Sequence, residues 1–99
     1  MTLDEIAKEI DDDNDIIVHC DTEEKAVALL TMCKDKGFRW PINKEIFVND
    51  GCGGDGVNWE EFRENTIYYI FVSRGRTLKY DDISYAEKES DKYVEYDDT

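Results

Sequence analysis

The stretch from Ile16 to Trp40 constrains the fold more than any other part of the chain. Ile16-Ile17-Val18-His19-Cys20 is a short apolar run rich in β-branched side chains and reads as a buried strand. Asp21 stands where such a strand must turn. Its carboxylate is placed to accept a backbone N–H of a following first helical turn, and Glu24 to reach back, which predicts a capping box. Ala26, Leu29, Leu30 and Cys33 recur at helical spacing and form one apolar stripe. Glu23 and Glu24 lie at the positive end of that helix's dipole, Lys34 and Lys36 at its negative end. Gly37 is the residue expected just past the helix, because glycine takes the left-handed conformation at little cost. The stretch therefore specifies a strand–helix unit at both ends. It specifies no chemistry.

The rest of the chain builds around that unit. Thr2 and Glu5 predict a second capping box, opening a helix with Leu3, Ile6, Ala7 and Ile10 as its stripe. Asp11-Asp12-Asp13-Asn14-Asp15 ends it, placing like charges and poor helix formers at its negative end. Phe38-Arg39-Trp40-Pro41 reads as extended. Glu45 to Val48 reads as a strand, Asn49 to Gly56 as a glycine-rich loop, and Trp59 to Glu64 as a short helix capped by Asn58. Thr66 to Ser73 is the strongest strand and, with its continuous apolar and aromatic run, the expected central one. Arg74-Gly75 turns it back into Arg76–Tyr80. Ser84 is placed to cap a helical turn through Glu89, and Tyr93–Tyr96 alternates as an edge strand. The expectation is one α+β domain over residues 1–99: a small, mostly antiparallel sheet of about four strands with helices packed on one face.

Charge narrows the function classes. The chain carries a net −13, and most of it sits at the two ends. Residues 1–33 hold ten acidic and two basic side chains, residues 34–80 seven and eight, and residues 81–99 eight and two. Such a chain repels nucleic acid, since each phosphate contact needs a Lys or Arg, and is drawn instead to basic surfaces. No apolar run approaches membrane-spanning length, and the first residues are acidic rather than signal-like, so no membrane segment or secretory signal is expected. Cys20, Cys33 and Cys52 are odd in number and form no CxxC pair, which points to free thiols in a reducing cytoplasm.

Catalytic and ligand motifs are weak throughout. The loop 49–56 lacks the phosphate-loop lysine, and its Asp50 and Asp55 would repel phosphate; it also lacks the spacing of a calcium loop. His19 and Cys20 are neighbours on a strand, so their side chains diverge, and the lone histidine has no zinc-ligand spacing. No nucleophile is paired with a base. The expectation is a protein that is not an enzyme and uses no cofactor or metal. The candidate partner-binding residues are the carboxylates Asp11, Asp12, Asp13, Asp15, Asp81, Asp82, Glu87, Glu89, Asp91, Glu95, Asp97 and Asp98, with Tyr93 and Tyr96 as aromatic anchors.

Ile16–Cys20, Asp21-Thr22-Glu23-Glu24, Leu29-Leu30, Cys33 and Gly37-Phe38-Arg39-Trp40 together resemble the layout of small acidic proteins encoded by phages and prophages of Gram-positive bacteria. Trp59-x-x-Phe62, Asn65-Thr66-Ile67-Tyr68-Tyr69 and Tyr93-Val94-Glu95-Tyr96 extend that resemblance. It implies an accessory role in the bacterial host cytoplasm, in the manner of anti-CRISPR and other anti-defence inhibitors that imitate DNA. The implied partner is a basic host protein, such as a CRISPR nuclease or another nucleic-acid-binding protein, with no direct contact to nucleic acid or membrane; a homo-oligomer is compatible with it. The alternatives are an interaction module using exposed aromatics and a β edge, and a small-molecule or metal-binding protein.

Overall fold

The computed structural model describes residues 1–40, 59–86 and 92–97. The strand expected at 45–48, the glycine-rich loop 49–56, Cys52, the Asn58 cap, and Glu87, Glu89, Asp91 and Asp98 lie outside the described residues.

The first helix, α1 (Leu3–Asp11), forms as its sequence requires. The Thr2 hydroxyl accepts the Glu5 N–H at 3.3 Å, and the Glu5 carboxylate accepts the Thr2 N–H at 3.0 Å. Thr2→Ala is expected to cost about 1 kcal/mol, read by thermal or urea unfolding. Strand β1 (Ile16–Cys20) alternates buried and half-buried residues, and helix α2 (Glu23–Asp35) follows it. The cap of α2 falls one residue later than expected. Thr22 is the extended cap and accepts the Lys25 N–H, whereas the Asp21 carboxylate is taken by the Lys25 ammonium at 2.7 Å. Gly37 has φ +87° just past the helix, the left-handed turn for which glycine is suited.

Strands β2 (Thr66–Phe71), β3 (Thr77–Asp82) and β4 (Tyr93–Glu95) complete a four-stranded sheet in the order β3-β2-β1-β4. β2 is antiparallel to both β1 and β3, whereas β4 lies parallel to β1, so the sheet is mixed but mostly antiparallel. The fold is α+β, as the sequence pattern predicts. The region expected as one helix over Trp59–Glu64 is instead two 3₁₀ turns, Trp59–Glu61 and Arg63–Asn65. Arg63 sits at φ +51°, which interrupts helical propagation, and the buried Thr66 hydroxyl donates back to the Arg63 carbonyl at 2.7 Å. A further 3₁₀ turn, Ile83–Tyr85, is capped by Asp82, not by Ser84.

Strand alternation divides the sheet into two faces. Ile16, Val18, Cys20, Tyr68, Ile70 and Leu78 point to one side, where they form a single buried cluster with Ile6 and Ile10 of α1 and Ala26, Leu29, Leu30 and Cys33 of α2. Both helices therefore cover the same face. Phe38 and Trp40 close the β3 side of this core, and the Arg39 backbone bridges to β3. Burial pushes the Cys33 thiol up to about 12 and raises the Cys20 thiol as well, so both are inert packing groups. Ile17, His19, Tyr69 and Phe71 point to the other face.

Candidate functional site

The sheet topology gives the molecule two unlike ends. β1, β3 and β4 run in the same direction, and the registers align Cys20 with Thr66, Thr66 with Asp82, and His19 with Glu95. Their C-terminal ends therefore share one pole. α2 begins there directly after β1. α1 begins there too, because the Met1 ammonium donates to the Glu95 carbonyl at 2.8 Å.

This pole gathers carboxylates from every part of the chain. Asp4 and Glu5 open α1, while Asp21, Glu23 and Glu24 open α2. Glu60, Glu61 and Glu64 come from the turns that lead into β2, which the Trp59 indole pins to the Cys20 carbonyl at 3.1 Å. Asp81 and Asp82 end β3, and Glu95 and Asp97 end the chain's described part. Both helix dipoles present their positive ends to this cluster, which favours negative charge there.

Several of these groups are held ionised. The Thr2 backbone N–H, and then its hydroxyl, keep Glu5 below the usual carboxylate range. The Lys25 hydrogen bond lowers Asp21 against an opposing burial effect, and the Ser84 backbone N–H lowers Asp82. For Glu95, burial opposes ionisation, but hydrogen bonds from Tyr93 and His19 outweigh it and hold the carboxyl below its usual range.

His19 is the hub of that last arrangement. Its Nε2 lies 2.6 Å from the Glu64 carbonyl oxygen, which can only accept, and its Nδ1 bonds the Glu95 carboxylate. The Tyr93 hydroxyl donates to the second Glu95 oxygen at 2.6 Å. Nε2 therefore donates to the turn before β2 on one side, while Nδ1 meets β4 on the other. Residues 76 apart in sequence are thereby joined.

The sequence-predicted residues are divided between the two ends. Asp81, Asp82, Glu95 and Asp97 belong to the pole. Asp11, Asp12, Asp13 and Asp15 do not: they lie at and just past the C-terminus of α1 and precede β1, whose five residues span about 16 Å. Asp11 is paired with Lys36 at 2.7 Å. Asp15 accepts the Ser73 N–H and hydroxyl at 2.9 and 2.6 Å, fastening the end of α1 to the β2–β3 turn. Lys34, Lys36, Arg74, Arg76 and Lys92 share this end, so its charge is largely balanced. Tyr96 is 4% exposed and belongs to the core, so it offers no outer anchor, whereas Tyr93 is half-buried against Glu95. The outer edge of β4 is occupied by the chain's first residue, since the Asp97 N–H donates to the Met1 carbonyl at 2.8 Å.

Sequence reasoning missed Asp4, Glu5, Asp21, Glu23, Glu24 and the Glu60–Glu64 acids as parts of one surface. Their helix-capping positions were the available signal: α2 starts where β1 ends, and a helix that packs antiparallel to β1 just before it starts at that same end, so both acidic first turns meet there.

Among the described residues, no group of three or more His, Cys, Asp and Glu side chains is arranged to hold a metal ion. No helix among them is long and apolar enough to cross a membrane. Compared with protein-family models, curated proteins and solved structures, the chain gives no match.

Proposed function

We propose that this protein is a non-enzymatic inhibitor that seats its acidic pole in a basic, nucleic-acid-binding groove of a partner protein, its carboxylates standing where phosphates would. The observation that carries this reading is the shared end of β1, β3 and β4, which brings the exposed acids of α1, α2, the turns before β2 and the last strand onto one surface. A phage-encoded inhibitor of a bacterial defence nuclease, anti-CRISPR-like in class, is the setting that fits such a surface. A predominantly acidic pole of this kind steers association with a basic groove and raises the on-rate at low salt.

The test is capture of partners from a bacterial lysate at low salt and at about 1 M salt, where the screening length falls to about 3 Å. The expected catch is a basic nucleic-acid-binding protein, lost at high salt and displaced by added DNA. Asp4→Asn, Glu23→Gln and Glu24→Gln combined should markedly reduce its capture. A partner that persists at high salt, ignores DNA and tolerates those substitutions would contradict the proposal.

A further inference from the structure

We infer that the face of the sheet opposite the two helices carries a second binding site, for a small aromatic anion. Both described helices pack on the opposite face. On the face away from them, at the end away from the acidic pole, lies a groove of about 400 Å³ lined by Ile17, Tyr69, Phe71, Arg74, Tyr85 and Lys92. That volume falls within the range of about 300–1,000 Å³ typical of small-molecule pockets.

The lining is made of rings and cations. Ile17 stands directly opposite Tyr69 in the β1–β2 register, and Tyr69 stacks on Phe71 with centroids 5.8 Å apart and planes at 15°. Tyr85 is 70% exposed, the large apolar side chain left in solvent among the described residues. The Arg74 guanidinium lies 4.8 Å from the Phe71 ring centre, and the Lys79 ammonium 5.4 Å from that of Tyr69. Asp15 also borders the groove, but both of its oxygens are engaged by Ser73.

These features select a ligand. A cationic ligand would meet ring faces that already hold cations, and would be repelled by Arg74 and Lys92. A neutral ring would gain stacking alone. A ring bearing a phosphate or carboxylate gains both, because the planar fork of Arg74 can hold two anionic oxygens while the exposed Tyr85 stacks on the ring beside the Tyr69–Phe71 pair. In a chain of net charge −13, this balanced end is also where an anion can approach. Two sources supply that chemistry: a mononucleotide, or a phosphorylated aromatic amino acid.

The experiment is an NMR titration of the full chain with adenosine 5′-monophosphate and, separately, with O-phosphotyrosine; adenosine, tyrosine and inorganic phosphate are the controls. At least one ring-phosphate should shift the Tyr69, Phe71, Arg74 and Tyr85 resonances, binding about tenfold or more tightly than either its ring or phosphate alone. Whichever does so identifies the source. Arg74→Ala and Tyr85→Ala should each weaken it about fivefold or more while leaving the unfolding midpoint unchanged, since both side chains are exposed. Absence of those shifts with both ring-phosphates, equal binding by inorganic phosphate, or indifference to both substitutions would overturn the inference. The acidic pole is untouched by these variants, so failure here leaves the proposed inhibitory function standing, and the reverse also holds.

Discussion

Leu29→Ala is expected to destabilise the protein by about 2–5 kcal/mol, a large part of the roughly 5–15 kcal/mol that holds a domain of this size folded. Leu29 is fully buried at the centre of the α2 stripe, within the one cluster formed by both helices and the covered face of the sheet. Alanine there removes apolar contact and leaves a cavity within that cluster, whose members are fixed by backbone hydrogen bonding and relax only in part. Each kcal/mol lowers the melting point of a domain this short by about 4–8 °C, so the variant should melt at least about 8 °C below the unaltered protein. Lys34→Ala, on the exposed side of the same helix, should change stability by no more than about 0.5 kcal/mol. Equal losses from the two substitutions would mean that α2 does not pack as described.

The second large effect is expected at His19. Its imidazole bridges the Glu64 carbonyl and the Glu95 carboxylate, and its side chain is 13% exposed. His19→Ala leaves both without that partner and should cost about 1–3 kcal/mol. The loss should appear first in β4, a three-residue edge strand held on its inner side by β1. Amide exchange of Val94, Glu95 and Tyr96 should therefore accelerate more than that of β2. The same network gives a pH dependence of defined sign. Glu95 has a folded pKa below its ordinary value of 4.5, so its contribution is fully present above that value and is lost as the pH falls through the depressed folded value. The unaltered protein should thus lose stability more steeply below about pH 4.5 than Glu95→Gln does. Parallel curves would show that the carboxylate is not held by Tyr93 and His19.

These predictions differ in how far they could be read from the sequence. Leu29 belongs to a stripe whose period is visible within four residues, and the Thr2–Glu5 box and Gly37 are likewise local: their partners lie within one helical turn, so residue type and spacing suffice. The placement of β4 is not local. Tyr93–Glu95 was recognisable as an edge strand, but its parallel pairing with β1 depends on a register between residues far apart in sequence, which no pattern within either strand encodes. His19 was therefore recognisable only as a lone histidine, and its role came from Glu64 and Glu95. The 3₁₀ turns before β2 were read as one helix because Trp59–Glu64 has helical composition, whereas the buried Thr66 hydroxyl and the left-handed Arg63 decide otherwise. The acidic surface was half legible for the same reason. Net charge and its concentration at the chain ends are sequence facts, but whether Asp11–Asp15 or Asp21–Glu24 faces the C-terminal acids is settled by strand direction.

That last distinction makes the decisive measurement simple. The affinity of the captured basic partner should be compared for the unaltered protein, for Asp4→Asn/Glu23→Gln/Glu24→Gln at the pole, and for Asp12→Asn/Asp13→Asn at the opposite end. Asparagine tolerates the left-handed backbone of Asp13, whose φ is +64°, so the second variant keeps the fold. The pole variant should bind at least about tenfold more weakly, a loss of about 1.4 kcal/mol, and the opposite variant should bind as the unaltered protein does. Retained affinity in the pole variant, or a loss confined to Asp12 and Asp13, would contradict a phosphate-mimicking surface built at the shared end of β1, β3 and β4.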